Sequence, residues 1–225
     1  KINLPIPIWL RFYLKFSKIL KNNNNVTFEM DLPKDIREGE TLPVESISNF
    51  LKSKGFNTDD LSIKQFPSGF SNLTYYLKTN DHELVLRRPP YGADSLKGGH
   101  DMFREYQILK KLKTEFAKIP NVHFYSDDQS ILGVPFYVMD CVKGYILRPG
   151  LSQKNAPDSN TISGIADSLV DTLVELHQVD LNKSELINFG KIDGYIERQI
   201  AGWTKRYYHA KTDDIPEMDF IAKWL

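Results

Sequence analysis

Leu61-Ser62-Ile63-Lys64-Gln65-Phe66, Pro67-Ser68-Gly69-Phe70-Ser71-Asn72, Leu73-Thr74-Tyr75-Tyr76-Leu77 and Glu83-Leu84-Val85-Leu86-Arg87 are the stretches that decide the fold. The first alternates polar and apolar residues with the period of two that a half-buried strand requires. The second carries proline, serine, glycine and asparagine, the residues that reverse a chain. The third is rich in β-branched and aromatic residues. Asn80-Asp81 marks another turn, and the fourth stretch reads as a strand. Together they predict an antiparallel meander with a glycine turn between its first two strands.

Upstream, Val44, Ile47, Phe50 and Leu51 recur at helical spacing, with Gly55 as a stop. Downstream, Pro89-Pro90 ends the third strand, and the spacing of Met102, Tyr106, Leu109 and Leu112 predicts a helix over 101–112. Two more strands are expected over 121–126 and 135–142, and 148–160 reads as loop-rich. From Thr161 to His177 the residues Ile162, Ile165, Leu169, Leu173 and Leu176 form one apolar stripe of a long helix. Shorter helices are expected over 195–210 and 216–225. Strands, one helix, strands, then helices only is an α+β plan, with a sheet-rich small lobe and a helical large lobe.

The 225 residues contain 29 basic and 29 acidic side chains, a formal net charge of zero. Nucleic-acid binders need a basic surplus to neutralise phosphates, so nucleic acid is not an expected partner. Cys141 is the only cysteine, which rules out an internal disulfide and fits an intracellular, reducing compartment without resolving cytoplasm, mitochondrion or peroxisome. The five histidines show no metal-ligand spacing. No stretch reaches the roughly 18 apolar residues of a spanning helix. Residues 1–28 hold Lys1, Arg11, Lys15, Lys18 and Lys21 but no acid, a composition suited to a dispensable extension or a targeting segment. The chain begins with Lys1 and stops at Trp224-Leu225 inside a helix-like pattern, so it reads as a fragment or processed product.

The chemistry is expected where the meander turns. A glycine turn lets backbone N–H groups approach a phosphate, because no Cβ blocks the way. Gly69, Ser71 and Asn72 have that composition. Arg87, at the end of the third strand, is a cation placed to hold phosphate oxygens. Glu105 on the following helix is the anion that would fix it. Strand 135–142 is apolar until Asp140, Cys141 and Val142, where extended backbone could pair with an adenine edge, and Lys143-Gly144 lets the chain turn away. Taken singly, each of these residues has a bland reading. Their order along the chain carries the hypothesis.

Residues 67–74, Val85-Leu86-Arg87-Arg88-Pro89-Pro90, His100-Asp101-Met102-Phe103-Arg104-Glu105 and Gly133-Val134-Pro135-Phe136-Tyr137-Val138-Met139 resemble the aminoglycoside phosphotransferase and choline-kinase-like superfamily. The resemblance is closer to the kinase-like domain at the N-terminus of certain acyl-CoA dehydrogenase family proteins. There Leu176-His177, Gly194-Tyr195, Trp203-Thr204-Lys205-Arg206-Tyr207 and Asp214-Ile215-Pro216-Glu217-Met218 also fit. It spans about 44–225. The resemblance implies a two-lobed protein-kinase-like fold, with an extension over 1–43, an N-lobe over 44–142 and an incomplete helical C-lobe over 143–225. It implies ATP with Mg2+ and phosphoryl transfer to the hydroxyl of a small molecule, with an acyl-CoA-type acceptor such as a 4-hydroxyacyl-CoA. FAD would enter only if a dehydrogenase region follows in the full protein. Gly69, Ser71 and Asn72 would belong to the phosphate loop, Arg87 would replace the usual strand lysine, Glu105 would pair with it, and Asp140, Cys141 and Val142 would form the adenine hinge.

The family's His-Gly-Asp loop and later magnesium-binding aspartate are not in these 225 residues. No catalytic residue or metal ligand is therefore assigned within the chain, and the fragment is expected to bind nucleotide without turnover. The alternatives are a pseudokinase-like nucleotide- or partner-binding module and an α+β interaction domain that shares only the scaffold. His177 and the Trp203, Tyr207 and Tyr208 stripe are expected to pack, Asp101 to cap its helix, and Cys141 to be inert.

Overall fold

Every strand of the meander forms, within a residue or two of its sequence boundaries. The structure is a computed structural model that describes residues 26–30, 32–67, 72–92, 100–149, 158–191 and 193–225. The elements run β1 (Val26–Met30), α1 (Val44–Ser53), β2 (Ser62–Gln65), β3 (Leu73–Lys78), β4 (Glu83–Arg88), α2 (Met102–Leu112), β5 (Val122–Ser126), α3 (Gln129–Leu132), β6 (Phe136–Asp140), β7 (Tyr145–Pro149), α4 (Ser159–His177), a 3-10 turn (Leu186–Phe189), α5 (Tyr195–Ala210) and α6 (Pro216–Trp224). They fall into two compact units, divided between Asp180 and Leu181.

In the first unit, β2, β3, β4, β6 and β5 form one antiparallel sheet in that order. Alternation assigns the two faces. Leu73, Tyr75 and Leu77 of β3, Leu84 and Leu86 of β4, and Phe136 and Val138 of β6 are buried with Ile47 and Leu51 of α1. Each such side chain contributes about 1.5–3 kcal/mol of burial. Phe50 of α1 meets the Phe136 ring edge-on at 5.2 Å. The intervening residues Thr74, Tyr76, Val85, Arg87 and Met139 face the opposite way and line a cavity. One alternation thus separates packing from chemistry.

Register fixes which residues share that second face. Thr74 stands opposite Arg87, and Arg87 opposite Tyr137. Helix α2 packs on the Tyr137 side through Met102 and Tyr106, one turn apart. Its start is set by Asp101, whose carboxylate accepts the Arg104 N–H at 2.9 Å, as the sequence predicts. Satisfying one orphan N–H in this way contributes about 1 kcal/mol.

Four elements had no sequence expectation, the 3-10 turn over Leu186–Phe189 among them. The single-turn helix α3 is capped by Asp128 and closed by Gly133 at φ +72°, a conformation that favours glycine. Strand β7 runs two residues into the stretch 148–160 that reads as loop. It pairs with β1, Val26 opposite Pro149 through Met30 opposite Tyr145, so part of the expected N-terminal extension is strand. Lys34 then bridges Gln65 at the edge of the main sheet, with both N–H···O distances 2.8 Å.

Helix α4 begins where the Asp158 carboxylate accepts the Thr161 N–H. Its apolar stripe is present, but Leu169 is 52% exposed and His177 is exposed, so the packing expected of His177 does not occur among the described residues. The second unit holds the 3-10 turn, α5 and α6. Trp203, expected to pack, is 63% exposed, while the Arg206 guanidinium sits over its ring, 4.7 Å from the centroid.

Candidate functional site

The cavity under the sheet has a volume of about 850 Å³. Its ceiling comes from β2, β3 and β4, its side from Met139 and the chain that leaves β6, and Arg87 lies in its lining. An 850 Å³ cleft is within the range that holds a cofactor-sized ligand.

At one end Arg87 and Glu105 converge. Arg87 Nε is 3.4 Å from Glu105 Oε2. This is an ion pair without hydrogen-bond alignment, and among the described residues Arg87 Nε is a buried donor with no hydrogen-bond partner. A buried unpaired donor costs about 1–3 kcal/mol, which an anionic ligand oxygen would recover. The carboxylate is held from two other sides. Asn72 Nδ2 donates to Glu105 Oε1 at 2.9 Å, and Tyr137 Oη donates to Oε2 at 3.1 Å. Burial pushes the Tyr137 phenol up; Arg87 pulls it down, and Glu105 raises it again. It therefore stays a neutral donor at physiological pH. Behind Asn72, His100 Nδ1 lies 2.7 Å from Asn72 Oδ1, so this nitrogen donates when the amide oxygen accepts.

Of the three residues expected in a phosphate loop, Gly69 and Ser71 lie outside the described residues. Asn72 is buried, and its amide is committed to Glu105 and His100. The geometry therefore gives Asn72 a positioning part. The sequence reading missed Tyr137 and His100 as members of this cluster. Tyr137 was legible in principle: it alternates with the core residues Phe136 and Val138, which puts it on Arg87's face.

The other end of the cavity is where β6 stops. The backbone expected to be free from Asp140 to Val142 is only partly so. The Asp140 N–H donates to Asn121 O at 2.9 Å, and the Cys141 N–H to Glu83 O at 3.0 Å. Antiparallel pairing continues past β6 and consumes them. Among the described residues none pairs with the Val142 N–H, and Val142 is 71% exposed. The Asp140 side chain is also engaged. His123 Nε2 approaches Oδ1 at 2.6 Å, and Asn121 Nδ2 donates to Oδ2 at 2.7 Å. Burial raises the Asp140 pKa, but these hydrogen bonds and the His123 ring outweigh it and hold the carboxyl below its ordinary value. Cys141 lines the cavity, and burial, with the nearby Glu83 carboxylate, pushes its thiol up against the pull of Lys143. Glu83 receives Lys143 Nζ at 2.7 Å and hydrogen-bonds Tyr76, whose phenol is pushed up to about 12, chiefly by burial. Gly144 is not among the glycines with positive φ, so its backbone does not require glycine.

Among the described residues no group of three or more His, Cys, Asp or Glu side chains is arranged to hold a metal ion. The cavity offers cations and donors to an anionic ligand, but no metal centre.

Residues 62–225 match the phosphotransferase enzyme family. The chain belongs to that family. The chain is 34% identical over 196 residues to acyl-CoA dehydrogenase family member 10 of Mus musculus, covering 84% of this chain and 18% of that protein. It is 36% identical over 169 residues to acyl-CoA dehydrogenase family member 11 of Homo sapiens, covering 73% of the chain and 21% of the relative. A crystal structure from Ralstonia eutropha, assigned as an aminoglycoside phosphotransferase, superposes with a TM-score of 0.65 at 29% identity, covering 82% of this chain and 53% of that one. The chain thus has the kinase-like phosphotransferase fold. It spans about half of that solved chain and about a fifth of the curated relatives.

Proposed function

We propose that the cavity binds ATP as the phosphate-donor end of a small-molecule kinase. The observation that carries this reading is Arg87: it lines the cleft, its position is fixed by the ion pair with Glu105, and its Nε has no hydrogen-bond partner among the described residues. A guanidinium in that position would take non-bridging phosphate oxygens, and its planar fork allows two parallel hydrogen bonds where a lysine allows a point contact. Val142, with its free N–H at the far end, is the backbone donor for the base. Phosphoryl transfer rests on positioning and charge stabilisation more than on covalent chemistry by the protein, so a rigid cation–carboxylate pair is a fitting component.

The acceptor is a hydroxyl on a small molecule. The names of the relatives favour an acyl-CoA-type compound such as a hydroxyacyl-CoA as the acceptor in the full protein. Mg2+ would accompany ATP. The described residues offer it no ligand cluster, so no step is assigned to it. For these 225 residues alone the reading is nucleotide binding without transfer, because they contain no His-Gly-Asp triplet to supply a base. The same observation favours a second reading, a nucleotide-binding module without chemistry. Isothermal titration of the chain with ATP, with and without Mg2+, tests the site. Saturable binding that Arg87→Ala weakens by about 100-fold is the expected result, and no detectable heat or melting shift at millimolar ATP would overturn it. Phosphate transfer from ATP by the chain itself would overturn the restriction to binding.

A further inference from the structure

The residues that precede α1 reach the site from a direction the sequence did not announce. Strand β1 pairs with β7, and its last residue Met30 stands opposite Tyr145, the residue after the cavity-lining Gly144. Four residues later Lys34 bridges Gln65 on β2, the strand that leads into the glycine turn. The bridge is antiparallel, so stepping back from Lys34 toward Leu32 runs in the direction of Phe66 and the turn. This stretch is therefore tied at one end to the chain leaving the hinge and at the other to the strand entering the turn. Leu32 and Pro33 lie between these anchors, and both line the cavity, as do Phe66 and Gly144. Leu32 is 58% exposed. An apolar side chain that lines a cleft and stays mostly in water gains burial when a ligand fills the cleft.

We propose that Leu32 and Pro33 form a wall of the nucleotide site, and that they cover the sugar-proximal edge of a bound nucleoside triphosphate between hinge and turn. The inference rests on the ATP reading above, and adds a part of the chain to the site that no strand or helix of the main sheet supplies. The anchoring explains how so short a segment holds its place. Gln65 is almost wholly buried, its side-chain oxygen accepts the Arg37 N–H at 2.9 Å, and its amide nitrogen donates to Glu40. Tyr75 Oη donates to the Glu40 backbone oxygen at 2.7 Å. The chain after the wall is thus fastened to the back of the sheet by buried polar groups, a costly arrangement to disturb. With both ends held, the wall pays little ordering entropy when a ligand arrives.

The test uses the full chain, a fluorescent N-methylanthraniloyl ATP as probe, and stopped-flow measurement of association and release. Leu32→Met keeps apolar surface and is expected to behave as the unsubstituted protein. Leu32→Asp places a charge against the nucleotide and is expected to speed release by about ten-fold, with the melting temperature of the nucleotide-free protein unchanged because residue 32 is exposed. Unaltered release from Leu32→Asp, or tighter binding, would overturn the wall while leaving the nucleotide site standing. If Leu32→Asp melts early, Leu32→Ser replaces it, with about three-fold faster release expected and unchanged release counting against the wall. Failure of the unsubstituted protein to bind the probe would overturn the nucleotide reading, and the wall with it.

Discussion

The two ends of the cavity are built differently. At the Arg87 end, side chains from four elements or their flanks converge on one carboxylate: Arg87 from β4, Tyr137 from β6, Asn72 from the start of β3, and Glu105 itself from α2. At the Val142 end, backbone pairing does most of the positioning, and the polar side chains form separate local pairs: Asp140 with His123 and Asn121, Glu83 with Lys143 and Tyr76. The difference teaches where specificity and tolerance should lie. A converged network around one ion pair loses function when any member is removed. An end made by main chain keeps its shape when side chains change.

The sharpest break in that comparison would come from Arg87→Ala against Asp140→Asn. The first should weaken ATP binding by about 100-fold, and the second by less than about three-fold, both read by titration calorimetry. Equal losses would mean that the two ends do not divide the work in this way. Asn72→Ala should come next. It leaves a half-buried carboxylate oxygen and His100 short of a partner, and should cost about 1 kcal/mol in urea unfolding as well as weakening ATP. Binding lost without any loss of stability would mark Asn72 as a ligand contact and not a positioning residue.

Cys141 gives a smaller and purely local reading. With its thiol pushed up by burial and by Glu83, less thiolate is present at pH 8 than for a free cysteine. Iodoacetamide should label it more slowly than glutathione, and ATP should slow it further, as mass spectrometry would show. Fast labelling that ATP leaves unchanged would remove Cys141 from the nucleotide's neighbourhood. The least effect is expected from pH. The Asp140 carboxyl is held below its ordinary value, so its contribution is complete above about pH 4 and fades as pH falls through the folded value. The site is partly exposed, and solvent screening keeps the contribution to about 0.5 kcal/mol. The melting temperature of the unsubstituted protein should exceed that of Asp140→Asn by about 1–2 °C at pH 6, and the gap should close as pH falls below about 4.

Much of this was legible because the sheet writes its plan in alternation. Ile63 and Gln65 face one way and Lys64 the other, and β3 and β4 repeat the scheme; so Arg87 and the cavity's ceiling follow from period alone. Glu105 was found as the acid on the helix that follows Arg87. What alternation cannot encode is which distant residue fills a hydrogen-bonding position. The partners of Glu105 lie 33 and 32 residues away along the chain, at Asn72 and Tyr137, and only the folded register brings them together. Helix α3 escaped because four residues give no periodic signal, and β7 because its Pro149 sits in a glycine- and proline-bearing stretch that reads as loop. At the hinge, Asp140 and Cys141 were expected to offer free N–H groups because the sequence does not say how far pairing continues past the last strand residue. Leu169 and Trp203 teach a related lesson: a helical stripe names a face, and not what covers it.

The five residues of β6 carry three duties at once. Phe136 and Val138 fill the core, Tyr137 steadies the acid of α2, and Asp140 begins the hinge. A deletion or insertion of a single residue here would invert the strand, driving the phenol into the greasy layer and a phenylalanine into the cleft. Length change in this strand is thus quantised in pairs, and even a paired change would slide Asp140 and the residues after it along the cavity. Drift in this lineage should therefore proceed by replacement along β6 and almost never by gain or loss of a residue.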